Sequence, residues 1–308
     1  MKRFPNQSLL RYNTFGIDQK CDELIVFENE NDAVMLASEL HQYTAAGGRL
    51  LLLGGGSNLL LTRDFGGKVV TPKAEFSISV IMEAGTNIPY LKCWAGTTFD
   101  EVVDYAVRHG YYGMENLSLI PGQCGASAVQ NIGAYGAEAK DFISEIEAVE
   151  IATGRIVHFT QADCHYSYRQ SRFKNEWKNR YLITYVTYRL SRKFEPLLDY
   201  GNVRSKLSEA HIDVEALTAQ QLRDTIIEIR RDKLPDPAVT GNAGSFFMNP
   251  IIDEETFRKL KEKVPDLHYF KVDDRGEAIC NDETPRNCRY KIPAGWMIER
   301  CGWKGKSL

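Results

Sequence analysis

The sequence predicts an α+β fold assembled from subdomains, and three observations carry that expectation. The N-terminal part runs strand, helix, strand and then breaks at three consecutive glycines, Gly54-Gly55-Gly56. After Gly66-Gly67 the pattern changes to shorter strands. Beyond Phe142 two strand-like runs meet at Thr153-Gly154, a hairpin signal that a purely doubly wound α/β sheet would not need.

Leu24 to Phe27 is a short buried strand, and Asn31 or Asp32 is placed to cap a helix with Val34, Leu36 and Leu40 facing inward. Gly47-Gly48 ends that helix and the Leu50 to Leu53 strand follows at once. A right-handed crossover makes the two strands parallel, so the glycine loop leaves the carboxyl end of a strand, where ligands of open α/β sheets sit. Val69-Val70, Phe76 to Met82 and Tyr90 to Trp94 are further strands. Thr98 to Glu101 has the spacing of a capping box for a helix running to Arg108, with Gly110 as its stop. Phe142 to Ile151, Arg155 to Phe159 and Tyr181 to Leu190 are strands. A new unit starts near Leu197, with a second capping box, Thr218 to Gln221, opening a helix through Leu222, Ile226, Ile227 and Ile229 that Pro235-Asp236-Pro237 closes. Asp253 caps a helix through Leu260, and Pro293 serves as the first residue of a helix over Ala294 to Cys301, with Gly302 as its stop.

At 308 residues with a formal charge of -3 and interspersed signs, the chain has room for two or three cores and no broad invitation to nucleic acid or anionic lipid. No run of about 18 apolar residues predicts a membrane span. The first residues lack the apolar stretch of a secretory signal. The seven cysteines, Cys21, Cys93, Cys124, Cys164, Cys280, Cys288 and Cys301, are odd in number and scattered, which suits reduced cytoplasmic thiols. The histidines form no H-x-x-H or H-E-x-x-H, so no metal site is expected.

Two small-residue stretches stand out. Gly54-Gly55-Gly56-Ser57-Asn58 offers backbone N–H groups that no side chain screens, a cradle for pyrophosphate oxygens, although the P-loop and G-x-G-x-x-G fingerprints do not match. Taken alone, a glycine triplet is more often a mobile turn. Leu119 to Gly136 is poor in bulk, with Gln123, Gln130 and Asn131 as polar handles, so that a flat ligand or another backbone lies against it.

Six motifs then occur in a fixed order: Asn13-Thr14-Phe15-Gly16, Gly54 to Asn58, Ile120-Pro121-Gly122, Gln130 to Gly136, Tyr168 to Lys174 and Gly241 to Phe247. Together they closely resemble the UDP-N-acetylenolpyruvoylglucosamine reductase family, flavoenzymes of bacterial peptidoglycan precursor synthesis. The resemblance implies a two-subdomain FAD-binding fold of the vanillyl-alcohol-oxidase type over 1–72 and 73–196, plus an α+β substrate domain over 197–308. It implies FAD as cofactor, NADPH as hydride donor, and reduction of an enolpyruvyl ether on a UDP-sugar. Expected partners are these small molecules alone, and the protein is expected to be a cytoplasmic monomer.

The same resemblance assigns residues. Arg169 answers the charge that develops on the substrate carboxylate and its neighbouring carbon, and Ser245 is the proton donor. Gly54, Gly55, Gly56, Ser57, Asn58, Pro121, Gly122, Ala126, Ser127, Gly133, Tyr135 and Gly136 line the cofactor. Tyr168, Tyr200, Lys233, Asn249 and Glu299 contact substrate. Cys124 lies in this stretch without any neighbour that would make it redox-active. The family continues beyond Gly305 with a segment bearing a further catalytic glutamate, onto which no residue here maps; the expectation is a shortened third domain and slow or absent turnover. Two alternatives stay open: a flavin oxidase of the same wider fold, and a non-catalytic FAD- or nucleotide-sugar-binding protein.

Overall fold

The computed structural model describes residues 1–274, 276, 279 and 288–306; Cys280 and the terminal Leu308 lie outside the described residues. The chain divides into two compact units, one of Met1–Tyr166 with Gln170–Gly244, the other of Ser167–Arg169 with Ser245–Leu308.

The first unit contains two sheets. The N-terminal one is formed by β1 (Lys2–Ser8), β2 (Lys20–Phe27), β3 (Leu50–Leu52) and β4 (Phe65–Pro72), with α1 (Glu30–Ala45) crossing between β2 and β3. Its order is β1-β2-β4-β3. β2 and β3 both pair parallel to β4, so they run parallel to each other as expected, with β4 inserted between them. α1 buries Ala33, Leu36, Ala37 and Leu40 against Ile25, Phe27 and Val70. Its cap is Asn29, not Asn31 or Asp32: the Asn29 side chain accepts the Asp32 N–H, while the Asp32 carboxylate turns back to accept the Glu28 N–H. The helix therefore starts a turn earlier than the apolar spacing implied, because Asp32 serves the first turn from inside it.

The second sheet uses β5 (Ile78–Met82) and β6 (Pro89–Trp94), then, after α2 (Phe99–Arg108), α3 (Cys124–Gln130) and the hairpin of β7 (Gly133–Ala134) and β8 (Ala137–Glu138), the strands β9 (Ile143–Glu150), β10 (Ile156–Thr160) and β11 (Tyr181–Arg189). Its order is β10-β9-β11-β6-β5, antiparallel throughout. Phe99, Val103, Met114, Leu117, Ile146 and Tyr188 form the centre of its core. The capping box expected at Thr98 is absent: the Thr98 side chain makes no cap bond. Thr98 is engaged in a bridge with Gln123, the Phe99 N–H goes to the Gly122 carbonyl, and Asp100 is taken up by other partners. Main chain from the small-residue stretch thus satisfies one of the free N–H groups of the first turn, that of Phe99, in place of a side-chain cap.

After the second sheet come α4 (Val203–Glu209) and α5 (Ala219–Lys233), whose Val203, Leu207, Leu222, Ile226 and Ile229 pack with Leu198 and Leu217. Here the capping box is complete, Thr218 and Gln221 each accepting the other's backbone N–H. Arg223 of α5 is buried against α2, its guanidinium donating to both Asp100 oxygens at 2.7 and 3.0 Å and to Asp104 at 3.3 Å.

The second unit holds β12 (Ile251–Ile252), α6 (Glu254–Lys263), β13 (Phe270–Val272), β14 (Arg289–Lys291) and α7 (Ala294–Arg300), with sheet order β12-β14-β13. Asp253 caps α6 through the Thr256 N–H at 2.8 Å. Phe257 of α6 stacks on Tyr290 of β14 with ring centres 3.8 Å apart. Pro293 is the N-cap of α7, one position before the one expected, because its ψ of 117° is extended. Among the described residues no helix is long and apolar enough to cross a membrane. Cys21, Cys93, Cys124, Cys164, Cys288 and Cys301 are free thiols.

Candidate active site

A cleft of about 350 Å³ opens in the first unit where the three parallel strands end. Phe27 closes β2, Leu52 closes β3 and Pro72 closes β4, and all three line it. The Gly54 to Asn58 loop forms one wall and α3 another, through Gln123, Gly125, Ala126, Val129 and Gln130. Phe173, Trp177, Asn179 and Tyr181 complete the lining.

The two small-residue stretches are brought together, and directly. A Cβ on Gly54 would lie 2.9 Å from the Ala126 Cβ, and one on Gly55 would lie 3.1 Å from the Gly122 Cα. Ser57 Oγ donates to the Pro121 carbonyl at 3.1 Å, and Asn58 Nδ2 donates to Gln130 Oε1 at 2.6 Å. The glycines are therefore first of all what lets loop and helix touch. Gly56 adopts φ +61°, a left-handed conformation that glycine reaches without strain. Among the described residues, the backbone N–H groups of Gly54 to Asn58 donate to no protein acceptor. Gln123 Oε1 is buried beside them without a hydrogen-bond partner.

Free amides and a cleft within the usual 300–1,000 Å³ range of ligand sites fit a phosphate-bearing cofactor, FAD included, and the unsatisfied Gln123 oxygen suits a hydroxyl or N–H donor of the same ligand. Ser127 is buried beneath, its hydroxyl paired with the Cys124 carbonyl and the Tyr188 hydroxyl, both at 2.7 Å. Gly133 to Gly136 is a hairpin with a two-residue turn, Tyr135 at φ 47° and Gly136 at φ 86°, the type I′ combination that favours glycine in second place. Tyr200, 42% exposed, rests on this turn: a Cβ on Gly136 would lie 3.3 Å from the Tyr200 Cβ. Asn116 Nδ2 holds both sides, donating to the carbonyls of Tyr135 at 2.7 Å and Leu197 at 2.9 Å. Burial pushes the Tyr135 phenol upward. Lys233, at the end of α5, donates to Asn202 Oδ1 at 2.9 Å.

In the second unit Tyr168, Arg169, Ser245, Asn249 and Glu299 share one compact body although they are far apart in sequence. Arg169 is held at φ +56°, unusual for a residue with a side chain and a form of strain that concentrates at functional positions. The Tyr168 ring is approached by two cations, the Arg169 guanidinium 5.2 Å and the Lys291 ammonium 4.4 Å from its centre. The Tyr168 hydroxyl accepts the Asn249 N–H at 3.4 Å, and Asn249 Oδ1 accepts the Ala294 N–H at 2.9 Å. Ser245 is exposed at the start of a run with Phe246 and Phe247. Glu299 is exposed on α7 and paired with Lys304 at 2.8 Å.

Several cleft residues carried no sequence signal of their own. Phe27 and Pro72 are the last residues of their strands, a position that the parallel-sheet expectation would have flagged once β4 was recognised as the central strand. Trp177 and Asn179 come from an irregular segment with no periodicity to place them. Gln123 was visible only as a polar residue in a bland stretch.

Comparison with known proteins agrees with this geometry. A family model described as FAD binding domain matches residues 26–160, and one described as UDP-N-acetylenolpyruvoylglucosamine reductase, C-terminal domain, matches residues 236–308. The UDP-N-acetylenolpyruvoylglucosamine reductase of Bacteroides fragilis (strain YCH46) is 41% identical over 304 residues, 98% of this chain and 83% of that protein. The enzyme of the same name from Burkholderia pseudomallei (strain 1710b) is 38% identical, covering 99% of this chain and 82% of that one. The crystal structure of UDP-N-acetylenolpyruvylglucosamine reductase from Thermus caldophilus matches 99% of this chain and 95% of its own with a TM-score of 0.54 at 17% identity, a likeness of fold. The chain belongs to the UDP-N-acetylenolpyruvoylglucosamine reductase family.

Proposed function

We infer that this protein reduces the enolpyruvyl ether of UDP-N-acetylglucosamine enolpyruvate to the lactyl ether of UDP-N-acetylmuramate, with NADPH as hydride source and FAD as carrier. The observation that carries this reading is identity of 38–41% with reductases of that name across nearly the whole chain. FAD, when bound, takes a hydride from NADPH and passes it to the vinyl carbon. The chain's own residues do the rest.

Gly54 to Asn58 hold the cofactor pyrophosphate through their free amides, with Pro121, Gly122 and Ala126 as the facing wall and Ser127 supporting that wall from behind. Gly133, Tyr135 and Gly136 contribute a turn of fixed shape. Arg169 pairs its guanidinium with the substrate carboxylate, which also draws off the negative charge that hydride addition places on the adjoining carbon. Ser245 delivers a proton to that carbon, so that one hydride and one proton saturate the double bond. Tyr168, Tyr200, Lys233, Asn249 and Glu299 orient the UDP-sugar. The left-handed backbone at Arg169 supports its assignment, since such strain persists where a side chain must be aimed.

Within the three-part reading, 1–72, 73–196 and 197–308, the separate N-terminal and central sheets support the first two parts, while residues 197–244 group with the first compact unit and the second begins at Ser245. The protein acts as a cytoplasmic monomer on small molecules. The test is stoichiometry: NADPH is consumed one for one with the enolpyruvyl UDP-sugar. NADPH oxidation by dioxygen at the same rate with or without the sugar would reject the assignment.

A further inference from the structure

The Asn13-Thr14-Phe15-Gly16 motif has no role in the mechanism above, yet it contacts two of the motifs that do. On one side it meets the cofactor loop. The Thr14 N–H donates to the Gly56 carbonyl at 3.3 Å, and a Cβ on Gly56 would lie 2.8 Å from the Asn13 Cα. On the other side it meets the run that leads into Ser245. The Thr14 carbonyl accepts the Asn242 N–H at 2.9 Å, and a Cβ on Gly241 would collide with the Phe15 carbonyl oxygen.

Both ends of this bridge are fixed by a buried or half-buried asparagine. Asn13, 8% exposed, donates from Nδ2 to the carbonyls of Leu9 at 2.7 Å and Ile17 at 2.9 Å and accepts the Ile17 N–H at 3.0 Å. The loop over 9–17 is thereby locked around one side chain. Asn242 donates from Nδ2 to Pro235 at 3.0 Å and Thr240 at 2.7 Å, and accepts the Gly244 N–H at 2.9 Å. Ser245 follows Gly244 directly in the chain.

We propose that the Asn13 to Gly16 motif is a positioning element: it ties residues 241–244, the run that ends one residue before Ser245, to the cofactor-binding glycine loop. Asn13 and Asn242 are its positioning residues, and neither touches a reacting atom. The chemistry favours this over a stabilising role alone. Proton delivery depends on placement within fractions of an ångström, and a displacement of about 1 Å can cost on the order of a hundredfold in rate. The inference rests on the assignment of Ser245 as proton donor.

The experiment uses the FAD-loaded protein and follows two steps separately without oxygen: bleaching of the flavin by NADPH, then return of colour on adding the enolpyruvyl UDP-sugar. Asn242→Asp keeps the acceptor for Gly244 and removes both donors; Gly241→Ala pushes against Phe15; Ser245→Ala is the reference. In Asn242→Asp the second step slows by about tenfold or more, while bleaching, flavin content and melting temperature stay close to the parent; Gly241→Ala slows the same step and also lowers the melting temperature, because its Cβ displaces the Phe15 main chain. If Ser245→Ala recolours at the parental rate, the proton-donor assignment itself fails. If Ser245→Ala is slow but the other two are not, the positioning role fails. If Asn242→Asp slows bleaching and recolouring alike, or loses flavin, the motif is a structural support only and the proposal is overturned. Should Gly241→Ala not fold, Asn242→Asp decides alone.

Discussion

Replacing Arg223 by methionine isolates the contact that joins α5 to α2. The side chain of Arg223 is 6% exposed and those of Asp100 and Asp104 are 24% and 31% exposed; the variant leaves the partly buried Asp100 carboxylate without its cation, whereas Asp104 keeps Arg108 at 2.8 Å. Breaking a fully buried pair from one side costs about 3–5 kcal/mol. Because water reaches the acids here, about 2–3 kcal/mol is the appropriate expectation. Methionine keeps most of the aliphatic packing, so the loss reports the charge. Adding Asp100→Asn removes the stranded carboxylate while its amide oxygen still accepts the Leu119 N–H, which Asp100 accepts at 2.5 Å. The double variant is therefore more stable than Arg223→Met alone. Urea unfolding at fixed salt, followed by Trp94 and Trp177 in the first unit, measures both. Arg223→Met within about 0.5 kcal/mol of the parent, or a double variant no better than the single one, would refute the reasoning.

Thr218→Ala removes the hydroxyl that accepts the Gln221 N–H, leaves the backbone N–H of residue 218 to donate to Gln221 Oε1, and lowers stability by about 1 kcal/mol, read from the same urea transition. Ser57→Ala removes the hydroxyl bond to Pro121 and loosens the loop from its wall, so FAD titrated into stripped protein binds more weakly, while unfolding of the stripped protein shifts by under about 1.5 kcal/mol. Glu39 is paired first with Arg3 and also with Lys68, which holds its carboxyl down to about 2 against an ordinary 4.5. Folding lowers this value, so the contribution is complete above pH 4.5 and is lost as pH falls toward 2; more than a third of the Glu39 side chain is exposed, so the effect is modest. Glu39→Gln accordingly lowers stability modestly at neutral pH and flattens the decline across that window, the variant and the parent converging toward pH 2, as acid titration of the unfolding midpoint would show.

Much of the first unit was legible because its signals are local. Hydrophobic spacing placed α1, and Thr218 with Gln221 placed α5. The capping box at Thr98 had equally good spacing and did not form, since tertiary main chain from Gly122 reached the helix start first. The seven-residue helix α3 was not foreseen because its stretch, Cys124 to Gln130, has too few bulky residues to show a period. The glycine loop was recognised as open backbone, but its contact with Ala126 and Gly122 is a tertiary fact that no local pattern carries. The same holds for Tyr168, Arg169 and Ser245: motif order named them, and only the fold gathers Ser167–Arg169 into one unit with the chain from Ser245 onward.

The central claim is that the cleft at the ends of β2, β3 and β4 carries FAD for reduction of an enolpyruvyl UDP-sugar. Its most direct test is the visible spectrum of purified protein through one anaerobic cycle. A yellow protein that bleaches with NADPH and regains its colour with UDP-N-acetylglucosamine enolpyruvate is the expected result. A colourless protein that takes up no added FAD, or a bleached flavin indifferent to that sugar, would contradict it.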